Sequence, residues 1–202
     1  MKKTDAKTLL LTREPLSDPT LQAIRPMGLL MDLIGKDWML VTAGTPSRFN
    51  TMTASWGGIG WLWNRPVAFV FVRPERYTHS FIESAGRLTL SFYGEAHRKA
   101  LQLCGTRSGR DTDKPAEAGL TPVALDSGAV SFRQALLTLD CRKLFRTEMA
   151  APHFVDSDIL DRWYGPSQGG LHTVYVAEIE TIYTPDTQEP LNPIVQGDGK
   201  ER

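Results

Sequence analysis

Cysteine is nearly absent: Cys104 and Cys141 are the only two in 202 residues, too few for a disulfide framework or an obvious zinc site. Both read as free thiols, which implies the reducing cytoplasm, and no metal is expected. Excess charge of one sign is missing as well, because Lys plus Arg and Asp plus Glu stand at 23 each. Without an overall field, nothing steers the chain toward nucleic acid or anionic lipid. Long apolar runs are also lacking. The opening MKKTDAKTLLLTREP is basic, but Leu9, Leu10 and Leu11 fall far below the roughly 7–15 apolar residues of a secretory signal, and no segment reads as membrane-spanning. Gly57, Gly58 and Gly60 lack the G-x-G-x-x-G spacing, and no G-x-x-x-x-G-K occurs, which excludes a separate Rossmann or P-loop domain.

What is present suffices for one globular domain with a sizeable core, since 41% of the residues are hydrophobic. Pro15, Pro19 and Pro26 mark residues 1–30 as an extended arm, residues 31–184 carry the domain, and residues 185–202 form a Pro-rich tail. Six segments rich in β-branched and aromatic residues read as strands: 38–43, 50–56, 67–72, 88–93, 136–147 and 171–183. In the last of these, alternation puts Thr173, Tyr175, Ala177 and Ile179 on one face, and His172, Val174, Val176, Glu178 and Glu180 on the other. Short helices are predicted over 77–85, where Ser80 and Glu83 have capping-box spacing or Thr78 caps one turn earlier, over 95–103 with a stop at Gly105, and over 156–163 from an Asp-Ser cap. The fold class is therefore mainly β (α+β), an antiparallel barrel or sandwich with flanking helices.

Three polar clusters carry the chemistry. In NTMTASWGG, residues 50–58, Asn50, Thr51, Thr53 and Ser55 supply small neutral side chains on a strand whose other positions are Met52 and Ala54, with Trp56 closing the run. The alternation predicts one wet face rich in hydroxyls and free of charge. In VRPERYTHS, Arg73, Arg76 and Thr78 sit where a strand passes into a helix, which reads either as a phosphate site or as an ordinary solvated loop. The hydroxyl strand tips that balance, since hydroxyls and main-chain amides are what a buried phosphoester accepts from. WGGIGWLWNRP reads as a loop whose Trp61 and Trp63 pack on the core or on a subunit partner. In LCGTRSGRDTDK, a loop of mixed charge follows a helix end, and no histidine close in sequence argues for a Cys104 nucleophile.

Taken together, NTMTASWGGIGWLWNRPVAFVFVRPERYTHSFIE, ALQLCGTRSGRDTDKPAEAGL and GGLHTVYVAEIE closely resemble the flavin reductase-like, FMN-binding split β-barrel family, in particular its flavoredoxin-like branch, over roughly residues 35–182. The resemblance implies a six-stranded antiparallel Greek-key split β-barrel, a homodimer and FMN near the subunit interface. It further implies that Asn50, Thr51, Met52, Thr53, Ala54, Ser55 and Trp56 hold the ribityl chain, phosphate and ring edge. Arg73, Arg76, Tyr77 and Thr78 correspond to the phosphate clamp, while Cys104, Gly105 and Ser108 approach the ring and Lys114 reaches phosphate or ribityl. His172 matches the family's histidine beside the open ring face and is the catalytic candidate. One departure stands out: Ala177 precedes Glu178 where the family often has Gly.

Two activities remain open at this stage. The first is an oxidoreductase taking hydride from NADH or NADPH to flavin N5 and passing electrons onward, with the protein tuning chemistry that the cofactor carries. The second is a flavoredoxin-like carrier that exchanges electrons with a redox protein partner and uses no nicotinamide. A neutral hydroxyl strand suits either, because a charge beside the ring would shift its potential.

Overall fold

The computed structural model describes residues 30–184, so the expected arm and tail lie outside the described residues. A π-helical turn, Leu33–Asp37, leads into strand β1 (Met39–Thr45), which turns back as β2 (Arg48–Ala54). Then follow β3 (Gly57–Leu62), β4 (Arg65–Val72), helix α1 (Tyr77–Ser84), β5 (Arg87–Phe92), α2 (Arg98–Thr106), α3 (Lys114–Glu117), β6 (Pro122–Ala124), β7 (Val130–Phe132), β8 (Leu137–Glu148), α4 (Ser157–Tyr164) and β9 (Thr173–Tyr183). The mainly β architecture is the expected one, and every predicted strand segment is present. The main sheet has seven strands rather than six, in the order β2-β1-β5-β8-β9-β4-β3, with each neighbouring pair antiparallel. β6 and β7 pair separately.

The added strand is β3, which the sequence reading took for a loop. Its three glycines offer little intrinsic strand preference, and it exists through its ladder with β4 from Gly57 opposite Val70 to Leu62 opposite Arg65. The hairpin closes over Trp63 and Asn64 with φ of 53° and 58°, the two left-handed positions of a type I′ turn.

The sheet is not closed, yet its edges must meet at one point. β2 and β3 are the two edges of the sheet, and only Ser55 and Trp56 separate them in the chain. Three peptide steps reach at most about 11 Å, so the sheet rolls until its edges touch there and splay apart beyond. Gly57 records the closeness: a Cβ on it would lie 3.0 Å from the methyl of Met39, which is on β1, next to β2.

Period-two alternation sorts β1 between two cores. Val41 and Ala43 face the inside of the roll with Val70, Leu90, Tyr175 and Ala177, closed by Phe81 and Ile82 of α1. Leu40 points outward against Leu101 and Cys104 of α2 and Phe132 of β7. Ala177 is fully buried opposite Ala68, so the extra methyl relative to the family's Gly is absorbed by the core. No helix among the described residues is long and apolar enough to cross a membrane.

Some helix ends differ from expectation. The Ser80–Glu83 capping box does not form: the Ser80 hydroxyl donates to the Tyr77 carbonyl at 2.9 Å, and Arg76 occupies the cap position of α1 without a side-chain cap bond. Helix α2 runs through Gly105 to Thr106 rather than stopping at the glycine. The cap of α4 is Asp156, as expected, accepting from the Asp158 amide at 3.0 Å.

Candidate functional site

The seam where β2 and β3 part opens into a cleft of about 260 Å³. Its floor is the end of β2, Met52 to Ala54, continued by Ser55 and Trp56. Arg73 and Arg76 come from the β4–α1 turn, and Phe71 from the end of β4. Trp163, Gln168 and His172 come across from α4 and the segment leading into β9. A second chamber of about 210 Å³ shares Thr53 and Ser55 with the first and extends to Trp38, Gln102 and Gly105, making one trough.

The expected wet face of β2 is only partly wet. Thr51 is fully buried, and its hydroxyl bonds Thr42 at 2.9 Å across the β1–β2 hairpin. Asn50 is buried too, and its amide donates to the Thr78 hydroxyl at 2.7 Å, tying β2 to the first turn of α1. Gly109 lies against that amide so tightly that a Cβ would sit 2.0 Å from Asn50 Oδ1. Thr53 lines the trough, but its hydroxyl already donates to the Leu101 carbonyl at 2.5 Å. Of the four small polar side chains, Thr53 and Ser55 reach the cleft, and Asn50 and Thr51 brace its floor from behind.

Two cations stand at the same floor, Lys114 buried behind it and Arg76 half-buried at the cleft. Lys114 is 3% exposed and donates to the Thr51 carbonyl at 2.8 Å and the Cys104 carbonyl at 3.1 Å. Burial, and then the nearby charge of Arg76, push its ammonium down to about 8, against a smaller upward pull from Cys104. Arg76 donates Nη1 to the Gly105 carbonyl at 2.8 Å, while its Nη2 is buried and has no partner. Burial also lowers the Arg76 pKa, although a guanidinium keeps its proton at any physiological pH. Among the described residues, no carboxylate forms an ion pair with either cation. Two cations desolvated side by side without an anion are costly, and the arrangement is complete only with one supplied from outside.

Arg73 is differently employed. It donates Nη1 to the carbonyls of Gln168 at 2.6 Å and Gly170 at 3.1 Å, and Nη2 to that of Trp163 at 2.9 Å, and it stacks over the Tyr164 ring. Glu75 accepts the Gly170 amide at 2.5 Å. Burial pushes Glu75 upward, but the Gly170 amide and the Arg73 charge outweigh it and hold the carboxylate below its ordinary range.

His172 is 6% exposed, with Nδ1 2.8 Å from the Tyr164 hydroxyl and its ring 5.1 Å from that of Trp56. Burial and the Arg73 charge, only partly countered by Glu75, push its pKa down to about 4. At neutral pH it is an uncharged imidazole on an aromatic wall. Trp163 meets Trp56 edge-on at 5.2 Å.

The Cys104 side chain is fully buried against Leu40 and Leu101, so it does not approach the cleft as the resemblance implied; its carbonyl serves as an anchor for Lys114. Burial lifts the thiol to about 11, which leaves no thiolate for chemistry. Gly105 borders the second chamber, 3.3 Å from Thr53 by its hypothetical Cβ. Ser108 caps its own loop, accepting from the Arg110 amide, and Tyr77 packs edge-on against Phe81 under the Arg110 guanidinium. Phe71, Trp163 and Gln168 were not anticipated as lining residues. For Trp163 and Gln168 the one sequence signal was the Gly169-Gly170 pair just before β9.

The rolled, open antiparallel sheet with its cleft at the seam has known counterparts. The family model described as flavin reductase like domain matches residues 31–197, and the chain belongs to that family. No curated protein matches it. Among solved structures, the flavoredoxin of Desulfovibrio vulgaris (Miyazaki F) is 24% identical with a TM-score of 0.59, over 77% of this chain and 74% of that one. Flavoredoxin from Methanosarcina acetivorans is 21% identical, TM-score 0.56, over 73% and 68%. An NADH:FAD oxidoreductase from Streptomyces globisporus C-1027, in complex with NAD and FAD fragments, is 18% identical, TM-score 0.55, over 87% and 90%. At these identities the likeness speaks for the fold.

Proposed function

We propose that the chain binds FMN in the cleft and takes hydride from NADH or NADPH, passing the electrons to a further acceptor. One observation carries this reading: half-buried Arg76 stands near buried Lys114 with no carboxylate ion-paired to either among the described residues, and the buried Nη2 of Arg76 is left without a partner. A phosphate dianion is the anion such a pair fits, and the residues present therefore suit the phosphate end of FMN. When bound, FMN supplies a flat ring that accepts hydride at N5 and releases electrons singly or in pairs.

The chain's own part is to bind, orient and keep water away. Arg76 would meet the anion at the cleft, with the charge of Lys114 set behind the floor, Ser55 and the main chain of residues 53–56 would offer polar groups along the floor, and Trp56 and Trp163 provide flat apolar walls for a planar donor. His172 stays uncharged at neutral pH, so it orients a nicotinamide by hydrogen bond without repelling its cationic product. The proposal includes a homodimer: Trp61 and Trp63, 67% and 55% exposed, lie at the tip of the edge hairpin, where Trp63 meets Phe145 edge-on.

The test is the absorption spectrum of the purified protein after FMN addition, followed anaerobically by NADH and then NADPH. Bleaching of a bound-flavin spectrum is the expected result and identifies the donor. A bound flavin that neither nucleotide reduces would transfer the assignment to electron carriage with a protein partner.

A further inference from the structure

Helix α4 and the residues after it, which complete the cleft, have almost no core of their own. None of the eight residues of α4 is buried, and Val155, Ile159 and Trp163 are exposed. Beyond edge-on ring contacts of Trp163 with Trp56 and of Tyr164 with Phe154 and His172, what fixes this stretch is polar and comes from the β4–α1 turn. Arg73 takes three of its carbonyls, at 163, 168 and 170, and Glu75 takes the amide of Gly170. The glycines answer to this clasp. Gly169 has φ +89°, and a Cβ on it would lie 3.3 Å from Arg73 Nη1, while one on Gly170 would lie 2.9 Å from Glu75 Oε1. The stretch so fastened carries Trp163, and through Tyr164 it holds the His172 ring.

We infer that Arg73 and Glu75 are positioning residues that clasp residues 163–170 so that Trp163 and His172 form the outer wall for a planar donor ring. Arg73 thereby acts on the donor and not on the cofactor's phosphate. Its guanidinium suits the task because two nitrogens set apart on a rigid plane reach three carbonyls spread over residues 163–170, a span the single nitrogen of a lysine ammonium does not match. The identity of the ring rests on the function proposed above, whereas the clasp is a property of the cofactor-free protein.

The experiment compares the wild-type protein with Arg73→Lys, Arg73→Gln and the isosteric Glu75→Gln. Amide hydrogen exchange in cofactor-free protein is read first. Residues 163–170 should exchange roughly ten- to a hundredfold faster in all three variants, Gly170 most directly in Glu75→Gln, with β1, β5 and β8 unchanged. FMN affinity is read second and should change by less than about threefold, while KM for the nicotinamide donor rises roughly tenfold with kcat little altered. Arg73→Lys should fail to rescue. Unchanged exchange at 163–170 overturns the clasp. Loss of FMN affinity in Arg73→Gln that Arg73→Lys restores also overturns it, because that is the behaviour of a point charge on a phosphate. Should the wild-type protein take up no FMN, the proposed function falls, and the exchange data alone decide whether the clasp stands.

Discussion

The two walls of the cleft are held by opposite means. On the β2 side several anchors are buried: Thr51 on Thr42, Asn50 on Thr78 and Lys114 on two carbonyls, around a ladder that pairs Met39 through Thr45 with Arg48 through Ala54. On the α4 side nothing of the helix is buried, and a few exposed or half-buried hydrogen bonds carry the load. Buried, mutually supporting anchors give a wall that opens only with the whole domain, whereas a clasp opens locally. The division suits a protein that retains one ring and exchanges another: the rigid side holds the cofactor, and the yielding side admits the donor.

The largest expected effect falls on the rigid side. Arg76→Ala removes a charge-assisted contact and should weaken FMN binding by about 1.5–3 kcal/mol, seen by titration of flavin fluorescence. Gly109→Ala forces the loop off Asn50 and should lower unfolding stability by about 1–3 kcal/mol in denaturant melts. If either change is silent, the β2 wall is not the rigid element described.

A third expectation concerns Lys114. Its folded pKa of about 8 lies below the ordinary value of 10.5, so between those pH values the unfolded chain binds a proton that the native chain does not. Lys114 therefore contributes stability that rises with pH across that window, against a fall contributed in its upper part by the buried Cys104 and Cys141 thiols, which the fold keeps protonated. Bound phosphate favours the charged ammonium and raises its pKa, so in the FMN complex the rise should shrink, which paired melts at pH 8 and pH 10 would reveal. Lys114→Met should remove the rising contribution, leaving the fall due to the buried thiols, and weaken FMN binding without unfolding the protein.

The smallest effect belongs to the yielding side. Because Trp163 is 41% exposed on a helix with no buried residue, Trp163→Ala should change stability by less than about 0.5 kcal/mol while raising the donor's KM. A large loss of stability would mean that α4 is part of the core after all.

The same contrast explains what was legible in the sequence. Strand segments such as VAFVFV and the alternating TVYVAEIETIY declare themselves, because β-branched and aromatic side chains fit a pleated, half-buried surface. β3 did not, since Gly57, Gly58 and Gly60 carry no such signal and the strand depends on β4 for its pairing. β6 and β7 are three residues each, too short for periodicity to show. At the site, Arg76 and the end of β2 were legible because arginines at a strand–helix junction and a run of small hydroxyl side chains are marked residue types in the sequence itself. The clasp was not, because Arg73 reaches main-chain carbonyls 90 to 97 residues away, and a carbonyl leaves no mark in a sequence. The burial of Thr51 and Lys114 was hidden for a related reason: each hydrogen-bonds main chain that only the fold brings near, Thr51 the carbonyl of Val41 and Lys114 that of Thr51.

The most direct test of the central claim compares FMN with riboflavin, which lacks the phosphate, in side-by-side titrations of the wild-type protein and Arg76→Ala. If Arg76 and Lys114 hold a phosphate, FMN binds the wild-type protein roughly a hundredfold or more tighter than riboflavin does, and the gap narrows sharply in the variant. Equal affinities for the two flavins in the wild-type protein would contradict the account.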